Sequence, residues 1–514
     1  MSAEILAIFI VSIVSFVIIV FKWRFKYWNR KNVYTISPSI PLGNFHDTIL
    51  RKTSLSMELY HMYNLLRSKG LKYGGIYMFL QPLLLVTDLD LVKDIFVRNF
   101  QNFSDHIIYA NEKVDPLSGN LFSLKGAKWR ALRVKLTPTF TSGKIKMMFE
   151  TMVNCTKQLR ELLDEFVSKS EPIDIKETMA RYTTDIIGSV VFGIDCNCLQ
   201  NSDTEFRKYG KRIFEGSIVK VGKRIASVCV PGLFNYFNIP LNDKGVERFF
   251  IKIVKDTIDY REKHHIDRKD FMKLLMELKT QKISLEGKGS DEENNKVVYS
   301  QDGLSLNEIT AQAFVFFAAG FETSSTALTF LMYELVMNLD IQEKLRNEIN
   351  TVLGKHNGEI TYDAIMEMSY LDKCFQEILR KHPPAASLSR ICTKTYKIPG
   401  SDVVLEEGDN VFISVYGIHH DPEFYPDPEK FDPERFSEEE KSKRDPFTFL
   451  PFGEGPRICI GLRFAAMQVK VAVVALLSNY KFTLNNKTQT PLEYDPVQFV
   501  LSVKGGVWLN AERL

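Results

Sequence analysis

Charge of one sign is what this sequence most clearly lacks. Its 514 residues carry 66 Lys and Arg against 63 Asp and Glu, a formal net charge of +3. A nucleic-acid-binding domain shows a basic excess gathered on one face, so this balance argues against one. Apolar residues make up 45% and charged residues 25% of the chain, which is typical of a globular protein and excludes a disordered one.

Cysteine is also scarce, with seven in the whole chain. An odd and small number in a chain of this length excludes a disulfide-stabilised scaffold. Cys196 and Cys198 form a Cys-x-Cys pair, but neither a second pair nor a histidine cluster stands at the spacing of a zinc site. The pair is therefore predicted to be two small buried side chains, in a protein that folds in a reducing compartment.

Long hydrophobic runs are confined to the N-terminus. Residues 5–21 contain only apolar side chains and two serines, close to the shortest length that crosses a bilayer. Basic residues follow at once: Lys22, Arg24, Lys26, Arg30 and Lys31. Because basic flanks stay on the cytosolic side, the rest of the chain is predicted to be cytosolic. A cleaved signal peptide is the alternative, but it requires a basic start, where Glu4 stands, and small residues at its end, where bulky aromatics stand.

These features divide the chain into three segments. We expect an uncleaved transmembrane signal anchor over residues 3–21 and a basic, proline-containing linker over residues 22–42. A folded domain over residues 43–514 follows. Pro38 and Pro41 are expected to stiffen the linker.

The folded part is predicted to be mainly α with small β-sheets. Helical periodicity dominates from residue 127 to 382. Short strands are predicted within residues 396–415 and 482–509. Residues 75–87 give two apolar runs separated by Gln81-Pro82, which predicts a hairpin with its turn at that dipeptide.

One cysteine has an unusual setting. Cys459 ends the segment F-G-E-G-P-R-I-C, and a nearly all-apolar run, predicted to be a buried helix, extends from Ile460 to Leu477. The unpaired N–H groups and positive dipole end at a helix start favour a thiolate there. The glycines on both sides would let a flat, bulky ligand approach the backbone closely. A buried free thiol after a loop is the alternative.

The segment F-x-x-G-x-R-x-C-x-G resembles the haem-binding signature of the cytochrome P450 superfamily. It matches at every fixed position: Phe452, Gly455, Arg457, Cys459 and Gly461. The resemblance implies the P450 fold, a large helical haem domain with a minor β-rich region. It implies that Cys459 is the axial thiolate ligand of the iron in haem b (iron protoporphyrin IX), which favours O–O cleavage. Phe452 would pack against the ligand side and Arg457 would reach a haem propionate.

A second motif lies within a long helix predicted over residues 302–338. Ser305 and Glu308 form a capping box at its start. The helix contains A-G-F-E-T-S at residues 319–324, which resembles the family's oxygen-activating motif. By that resemblance Gly320 leaves a groove for dioxygen, Thr323 donates a hydrogen bond to the activated oxygen, and Glu322 lies on the proton route. From the residues alone, the alternative is a surface-facing polar patch whose threonines donate hydrogen bonds to carbonyls of the same helix.

Two further sets complete the resemblance. Glu377 and Arg380 form E-x-x-R on a helix predicted over residues 371–381, and Arg435 follows in F-D-P-E-R-F. In isolation a solvated surface pair is the ordinary interpretation of that spacing. The family uses such a Glu-Arg-Arg set as a buried structural lock behind the haem. We therefore assign these three residues to folding.

Trp129 and Arg133 share a helix face at i, i+4, and their N–H donors suit carboxylates. The resemblance makes both of them propionate partners, together with Arg390 and Arg457. One departure is visible. His106 stands where relatives often carry a propionate-binding arginine, which predicts a weaker or pH-sensitive contact.

All the motifs stand in the family's order from about residue 30 to the end of the chain. Three finer segments resemble insect microsomal members, a group associated with oxidation of plant toxins and insecticides: residues 111–118, 135–144 and 501–509. The implied function is a monooxygenase that inserts one oxygen atom of O2 into a lipophilic substrate. Four aromatic residues are predicted to contact it: Phe122, Phe314, Phe317 and Phe499.

The chain has neither a Gly-x-Gly-x-x-Gly fingerprint nor a flavin module, so NADPH electrons must come from a partner. The resemblance implies NADPH–cytochrome P450 reductase, with cytochrome b5 as an optional second partner. It also implies an endoplasmic reticulum membrane location. Three alternatives stay open: a haem-thiolate isomerase or dehydratase, a non-catalytic haem carrier or sensor, and a monooxygenase of steroid-hormone synthesis. Thr323 argues against the first, because such enzymes often lose that threonine.

Overall fold

Helices make up most of the chain in the computed structural model, which describes residues 3–214, 217–268, 270–280, 283–284, 298–300 and 303–514. The α-helices are α1 (Ala3–Arg24), α2 (Tyr27–Arg30), α3 (His46–Ile49), α4 (Leu55–Ser68), α5 (Leu89–Lys93), α6 (Gly126–Leu136), α7 (Ser142–Ser168), α8 (Ile175–Ile187), α9 (Glu205–Phe214), α10 (Ile218–Cys229), α11 (Pro231–Tyr236), α12 (Lys244–His264), α13 (Phe271–Leu278), α14 (Leu306–Met337), α15 (Leu339–Lys355), α16 (Tyr362–Glu367), α17 (Ser369–Lys381), α18 (Val415–His419), α19 (Glu438–Ser442) and α20 (Leu462–Leu477).

The strands are short and form small sheets. They are β1 (Tyr73–Met78), β2 (Gln81–Val86), β3 (Ile173–Asp174), β4 (Ile283–Ser284), β5 (Val298–Ser300), β6 (Ser387–Ile391), β7 (Tyr396–Lys397), β8 (Val404–Leu405), β9 (Asn410–Ser414), β10 (Tyr480–Leu484) and β11 (Trp508–Arg513). The largest sheet has the order β1-β2-β9-β6, with β2 and β9 parallel and the other neighbours antiparallel. The prediction of a mainly α fold with small sheets is confirmed.

The first hairpin differs from its prediction. Gln81 and Pro82 belong to β2, where Pro82 lies opposite Tyr77, and the chain turns at Phe79 with a φ of +51°. Proline is tolerated because β2 pairs with β9 only from Leu83 onward, so no ladder N–H is needed at Pro82.

Helix α14 forms the centre of the molecule. The predicted capping box is present: Glu308 N donates to Ser305 Oγ at 3.3 Å, and Ser305 N donates to Glu308 Oε2 at 2.8 Å. The helix packs against α8, α12 and α20. It is long and apolar enough to cross a membrane, but two thirds of its most apolar window is buried, so it is a core helix. The helix begins at Leu306, four residues later than predicted, because Ser305 is its N-cap.

Helix α1 is the other helix that is long and apolar enough to span a membrane, and nearly all of it is exposed. The predicted linker, in contrast, does not stand apart from the folded part. Trp28 is completely buried and lies where a side chain at Gly75 would be, since a Cβ there would come within 2.4 Å of the indole. Gly75 also exchanges backbone hydrogen bonds with Tyr34 and Ile36. Residues 22–42 are therefore packed along β1.

Candidate functional site

Cys459 lies in the loop between a short 3-10 turn, Gly455–Arg457, and the start of α20. Its N–H donates to the Phe452 carbonyl at 3.0 Å, which closes the loop. The side chain is exposed, yet the surrounding protein raises the pKa of the thiol by burial. Cys459 is therefore accessible although protein surrounds it.

The predicted thiolate is not a property of the helix start alone. Helix α20 begins three residues after Cys459, at Leu462. The Gly461 N–H and the charge of Arg133 lower the pKa of Cys459, but burial outweighs both. A coordinated metal cation deprotonates a thiol outright, so the sulfur would become a thiolate when it binds iron.

The two glycines of the motif have different surroundings. Gly455 has a φ of +73°, and a Cβ there would lie 1.9 Å from the Phe96 carbonyl oxygen. Glycine is needed there because the loop crosses the Phe96 backbone, and not because a ligand approaches. A Cβ at Gly461 would meet no atom within 4 Å, so open space lies in front of it. Phe452 is half-buried against the main hydrophobic core.

Arg390, at the end of β6, is a buried guanidinium without a carboxylate partner among the residues described. Its Nη1 donates to the Ser389 carbonyl at 2.8 Å, its carbon atom Cζ lies 4.5 Å from the Phe96 ring centre, and its Nε has no hydrogen-bond partner. Burial and the charge of Arg457 lower the pKa of Arg390 to about 9. A buried cation in this state calls for an anion.

Arg457 contacts several groups of the protein itself. Its Nε donates to the Ser104 carbonyl and its Nη2 to the Leu124 carbonyl, both at 2.8 Å. The guanidinium also lies over the Trp129 ring, 3.9 Å from the ring centre, and 3.4 Å from Asp105 Oδ1. Arg457 therefore holds the segment before α6 against the cysteine loop. Its contact with a propionate stays a prediction.

His106 lies beside both arginines. Burial, Arg390 and Arg457 hold the pKa of its imidazole well below the usual range, so the ring is neutral at physiological pH. Its Nδ1 lies 3.0 Å from the Phe122 carbonyl oxygen, so the N–H of the neutral ring is on that nitrogen. Nε2 then carries a lone pair and cannot donate to a carboxylate. A propionate contact through this tautomer would be weak, and that contact stays a prediction.

Trp129 and Arg133 share one face of α6, as predicted. Trp129 is buried, and Arg133 Nη2 donates to the Ile458 carbonyl at 2.8 Å, next to Cys459. Burial lowers the pKa of Arg133, whereas the charge of Cys459 raises it. This electrostatic influence indicates that the two groups lie close together. The fold thus gathers both donors at the cysteine loop.

These residues fit a haem. The exposed Cys459 can bind iron, and the open space before Gly461 suits a flat ring. The buried Nε of Arg390, which has no hydrogen-bond partner among the described residues, suits a propionate. Each observation concerns a different part of the haem.

The motif on α14 presents Ala319 and Thr323 to the open side of the helix. Ala319 is exposed, and Thr323 Oγ1 donates to its carbonyl at 2.7 Å. Gly320 does not leave a groove, because its missing side chain makes room for Ile187 of α8, which would lie 2.4 Å from a Cβ there. The expected open face is therefore made by Ala319, one residue earlier.

Glu322 faces helix α8. Burial raises the pKa of its carboxyl, while Lys176 and Arg207 lower it. Sequence motifs did not indicate either basic residue, because they reach Glu322 only through the tertiary contact between α8, α9 and α14. Glu322 is thus a half-buried acid whose pKa is raised by burial despite the charges of Lys176 and Arg207.

The predicted lock is buried. Arg380 Nε and Nη2 donate to the two carboxylate oxygens of Glu377 at 2.7 and 2.8 Å, and neither side chain is exposed. Arg435 Nε lies 3.6 Å from Glu377 Oε1. Arg380 Nη1 also donates to the His419 carbonyl at 3.0 Å. The solvated surface pair is excluded.

Comparison with known proteins decides the family. The family model described as "Cytochrome P450" matches residues 41–509. The chain is 41% identical over 514 residues to a protein named probable cytochrome P450 6a20 of Drosophila melanogaster, covering 99% of this chain and 100% of that one. It is 40% identical over 497 residues to cytochrome P450 6k1 of Blattella germanica, covering 95% and 93%.

The chain belongs to the cytochrome P450 family. As a cytochrome P450 it is a monooxygenase, an oxidoreductase that carries haem and receives electrons from a redox partner. The relatives named here are insect proteins, as the sequence resemblance suggested.

The four aromatic residues predicted to contact substrate do not come together. Phe314 and Phe317 pack on the Phe250 ring with centres 5.3 and 5.2 Å apart, and Phe317 is completely buried in that cluster. Phe122 is 47% exposed and lies against the His106 ring. Phe499 is 66% exposed and lines a separate groove together with Phe45 and Val221. Phe317 is thus a core residue in this structure, and its contact with substrate stays a prediction.

Proposed function

We propose that this cytochrome P450 oxidises lipophilic xenobiotics, such as plant toxins or insecticides, with Cys459 as the axial ligand of its haem iron. The observation that carries the proposal is the exposure of Cys459. Among the cysteines that the structure describes, it alone is exposed, whereas the others are buried or half-buried.

The haem would supply activation of O2, and the protein would supply anchoring, a dry cavity and proton delivery. Arg390 would bind a propionate, since its buried Nε has no other partner described. Trp129 and Arg133 would contribute further N–H donors from α6. Thr323 would turn its hydroxyl proton from the Ala319 carbonyl toward O2, and Glu322, whose pKa burial raises, would hold the next proton.

The electron source and location complete the proposal. NADPH electrons would reach the haem through a separate NADPH–cytochrome P450 reductase, with cytochrome b5 as an optional second donor. Helix α1 would anchor the protein in the endoplasmic reticulum membrane, with the catalytic domain, residues 43–514, on the cytosolic face. Its exposed apolar surface and basic C-terminal end, Lys22 and Arg24, support this orientation.

The ligand assignment is tested by spectroscopy of the reduced protein with carbon monoxide. Wild type should show the red-shifted Soret band of a thiolate complex, and Cys459→Ala should lose it. Cys229→Ala is the matched control, because that half-buried thiol lies on α10 and should leave the band unchanged. Retention of the band in Cys459→Ala would assign the iron to another residue.

The reaction is tested by reconstitution of purified protein with reductase and a panel of lipophilic compounds. Product that depends on NADPH, reductase and O2 supports the monooxygenase on those substrates. Product without O2 would indicate the isomerase or dehydratase, and haem binding without turnover of any compound would indicate the carrier or sensor. Turnover of steroid precursors alone would replace the xenobiotic class.

A further inference from the structure

Helix α8 contacts the A-G-F-E-T segment of α14 at two neighbouring residues. Ile187 of α8 fills the space in front of Gly320, where a Cβ would lie 2.4 Å from the isoleucine side chain. One turn earlier on α8, Thr183 Oγ1 lies 3.0 Å from the carbonyl oxygen of Phe321. Residues four apart share one face of a helix, so Thr183 and Ile187 meet α14 together. We call residues 319–323 of α14 the motif turn.

The Thr183 hydroxyl forms a link between two helices. It is completely buried and has a single proton to donate. In its own helix it lies 3.0 Å from the Met179 carbonyl oxygen and 3.3 Å from that of Ala180, which is ordinary for a helical threonine. The Phe321 carbonyl is the unusual acceptor, because it belongs to the hydrogen-bond ladder of another helix. Thr183 therefore shares its proton between α8 and the motif turn.

The Phe321 carbonyl is part of the peptide unit that leads into Glu322. A peptide unit is planar, so a hydrogen bond that orients this carbonyl also orients the Glu322 N–H. The Phe321 ring is held as well, since it is completely buried and packs on the Phe214 ring with centres 5.5 Å apart. Thr323 is the next residue along the chain. Its placement on the helix therefore depends on a peptide unit that Thr183 holds.

Two other carbonyls of the motif turn also accept hydrogen bonds from hydroxyl groups. Thr323 Oγ1 donates to the Ala319 carbonyl at 2.7 Å, and Ser325 Oγ donates to the Glu322 carbonyl at 3.0 Å. Hydroxyl groups that bond to helix carbonyls slightly destabilise a helix and often bend it. The geometry of the motif turn is thus not determined by its backbone ladder alone. Of the three hydroxyl contacts, that of Thr183 comes from another helix.

We propose that Thr183 is a positioning residue for Thr323: by holding the Phe321 carbonyl toward α8, it keeps the motif turn in the geometry at which the Thr323 hydroxyl can reach O2. The inference rests on the proposed function, since it assigns Thr323 to proton delivery. Thr183 acts only through Thr323. Its effect should therefore vanish once the Thr323 hydroxyl is removed.

The first test measures product and hydrogen peroxide per NADPH for full-length, haem-loaded protein in the reductase-reconstituted assay. Thr183→Val keeps the shape of the side chain and removes the hydroxyl. Product per NADPH should fall about fivefold, or roughly 1 kcal/mol, the contribution of one hydrogen bond, and hydrogen peroxide should rise. Thr184→Val is the matched control, because Thr184 is equally buried but donates within α8, to the Ala180 carbonyl at 2.6 Å. It should change neither quantity.

The double variant Thr183→Val/Thr323→Val separates positioning from a general loss of stability. It should give the same product per NADPH as Thr323→Val alone, because two residues that act through one hydroxyl are not additive. A further fivefold loss in the double variant would overturn the inference. Unchanged product per NADPH in the single variant Thr183→Val would overturn it too.

The second test needs no turnover. The C–O stretching frequency of the reduced carbon monoxide complex responds to polar groups that face the bound ligand. Thr183→Val should shift this infrared band in the same direction as Thr323→Val, whereas Thr184→Val should leave it in place. A wild-type band in Thr183→Val beside a shifted band in Thr323→Val contradicts the positioning role.

Thr183→Ala and Thr183→Ser provide a second pair should Thr183→Val fold poorly. The two variants differ only by the hydroxyl group, so the alanine variant should lose coupled product and the serine variant should retain it. Equal product per NADPH in the two would overturn the inference. Failure of the proposed function gives a different result, since wild type would then lack the thiolate–carbon monoxide band or form no oxygenated product.

Discussion

Arg380 and Glu377 bind each other through two hydrogen bonds of 2.7 and 2.8 Å, with no part of either side chain exposed. Their i, i+3 spacing on α17 brings them to one face, and Asp432 N adds a third contact by donating to Glu377 Oε1 at 2.9 Å. The pair joins α17 to the segment around Asp432, which leads toward the cysteine loop.

Glu377→Gln should destabilise the fold, because it leaves Arg380 buried and unpaired. The expected loss is about 3–5 kcal/mol in the free energy of unfolding, measured by urea titration of the haem-loaded protein. Glu165→Gln is the control, since it breaks an exposed pair with Lys169 and should change the midpoint little. Equal midpoints for the two variants would show that the lock contributes nothing to stability.

Thr323→Val should uncouple the reaction while haem and fold persist, because valine keeps the shape and loses the hydroxyl. In the reductase-reconstituted assay NADPH use should continue, hydrogen peroxide should rise, and product should fall about 10–100-fold, or roughly 1.4–2.7 kcal/mol. Thr329→Val is a matched control on the same helix, since Thr329 Oγ1 makes the same 2.7 Å bond to the carbonyl four residues earlier. Unchanged product per NADPH in Thr323→Val would move proton delivery to Glu322.

The two motif glycines should respond differently to alanine. Gly455→Ala should prevent normal folding, since its Cβ would overlap the Phe96 carbonyl and its φ is positive, a strain of at least about 1–3 kcal/mol. Gly461→Ala should fold with an unchanged melting temperature in the haem-free protein, but retain less haem, measured by transfer to apomyoglobin. Equal haem retention by Gly461→Ala and wild type would show that the open space is not part of the haem site.

The full-length protein should sediment with endoplasmic-reticulum membranes and resist carbonate extraction. Its folded part should be open to protease from the cytosolic side. Replacing Ile13 and Val14 in α1 by lysine should release the protein from the membrane. N-terminal sequencing tests the alternative. A mature chain that starts after residue 21 would identify α1 as a cleaved signal peptide.

Local patterns predicted the long central helix and its cap, whereas the burial of the Glu-Arg-Arg lock was predicted only from the family resemblance. The Ser305–Glu308 capping box and the Glu377–Arg380 spacing depend on residues three apart, so the sequence alone displays them. The surroundings of Gly320 could not be predicted, because the side chain that fills its space, Ile187, lies on another helix. The hydrogen bond between His382 and Tyr494 could not be predicted either, because the two residues lie more than a hundred positions apart in the sequence.

The burial of Trp28 bears on how a soluble form of this protein should be truncated. A chain that begins at residue 25 would keep Trp28 over Gly75 and Phe25 on the Tyr77 ring, 4.9 Å between centres. One that begins at residue 43 would expose the apolar side of β1 and leave the Gly75 N–H, now bonded to the Tyr34 carbonyl, as an unpaired sheet edge. Such edges pair with other chains, so the shorter form should aggregate where the longer one stays monodisperse.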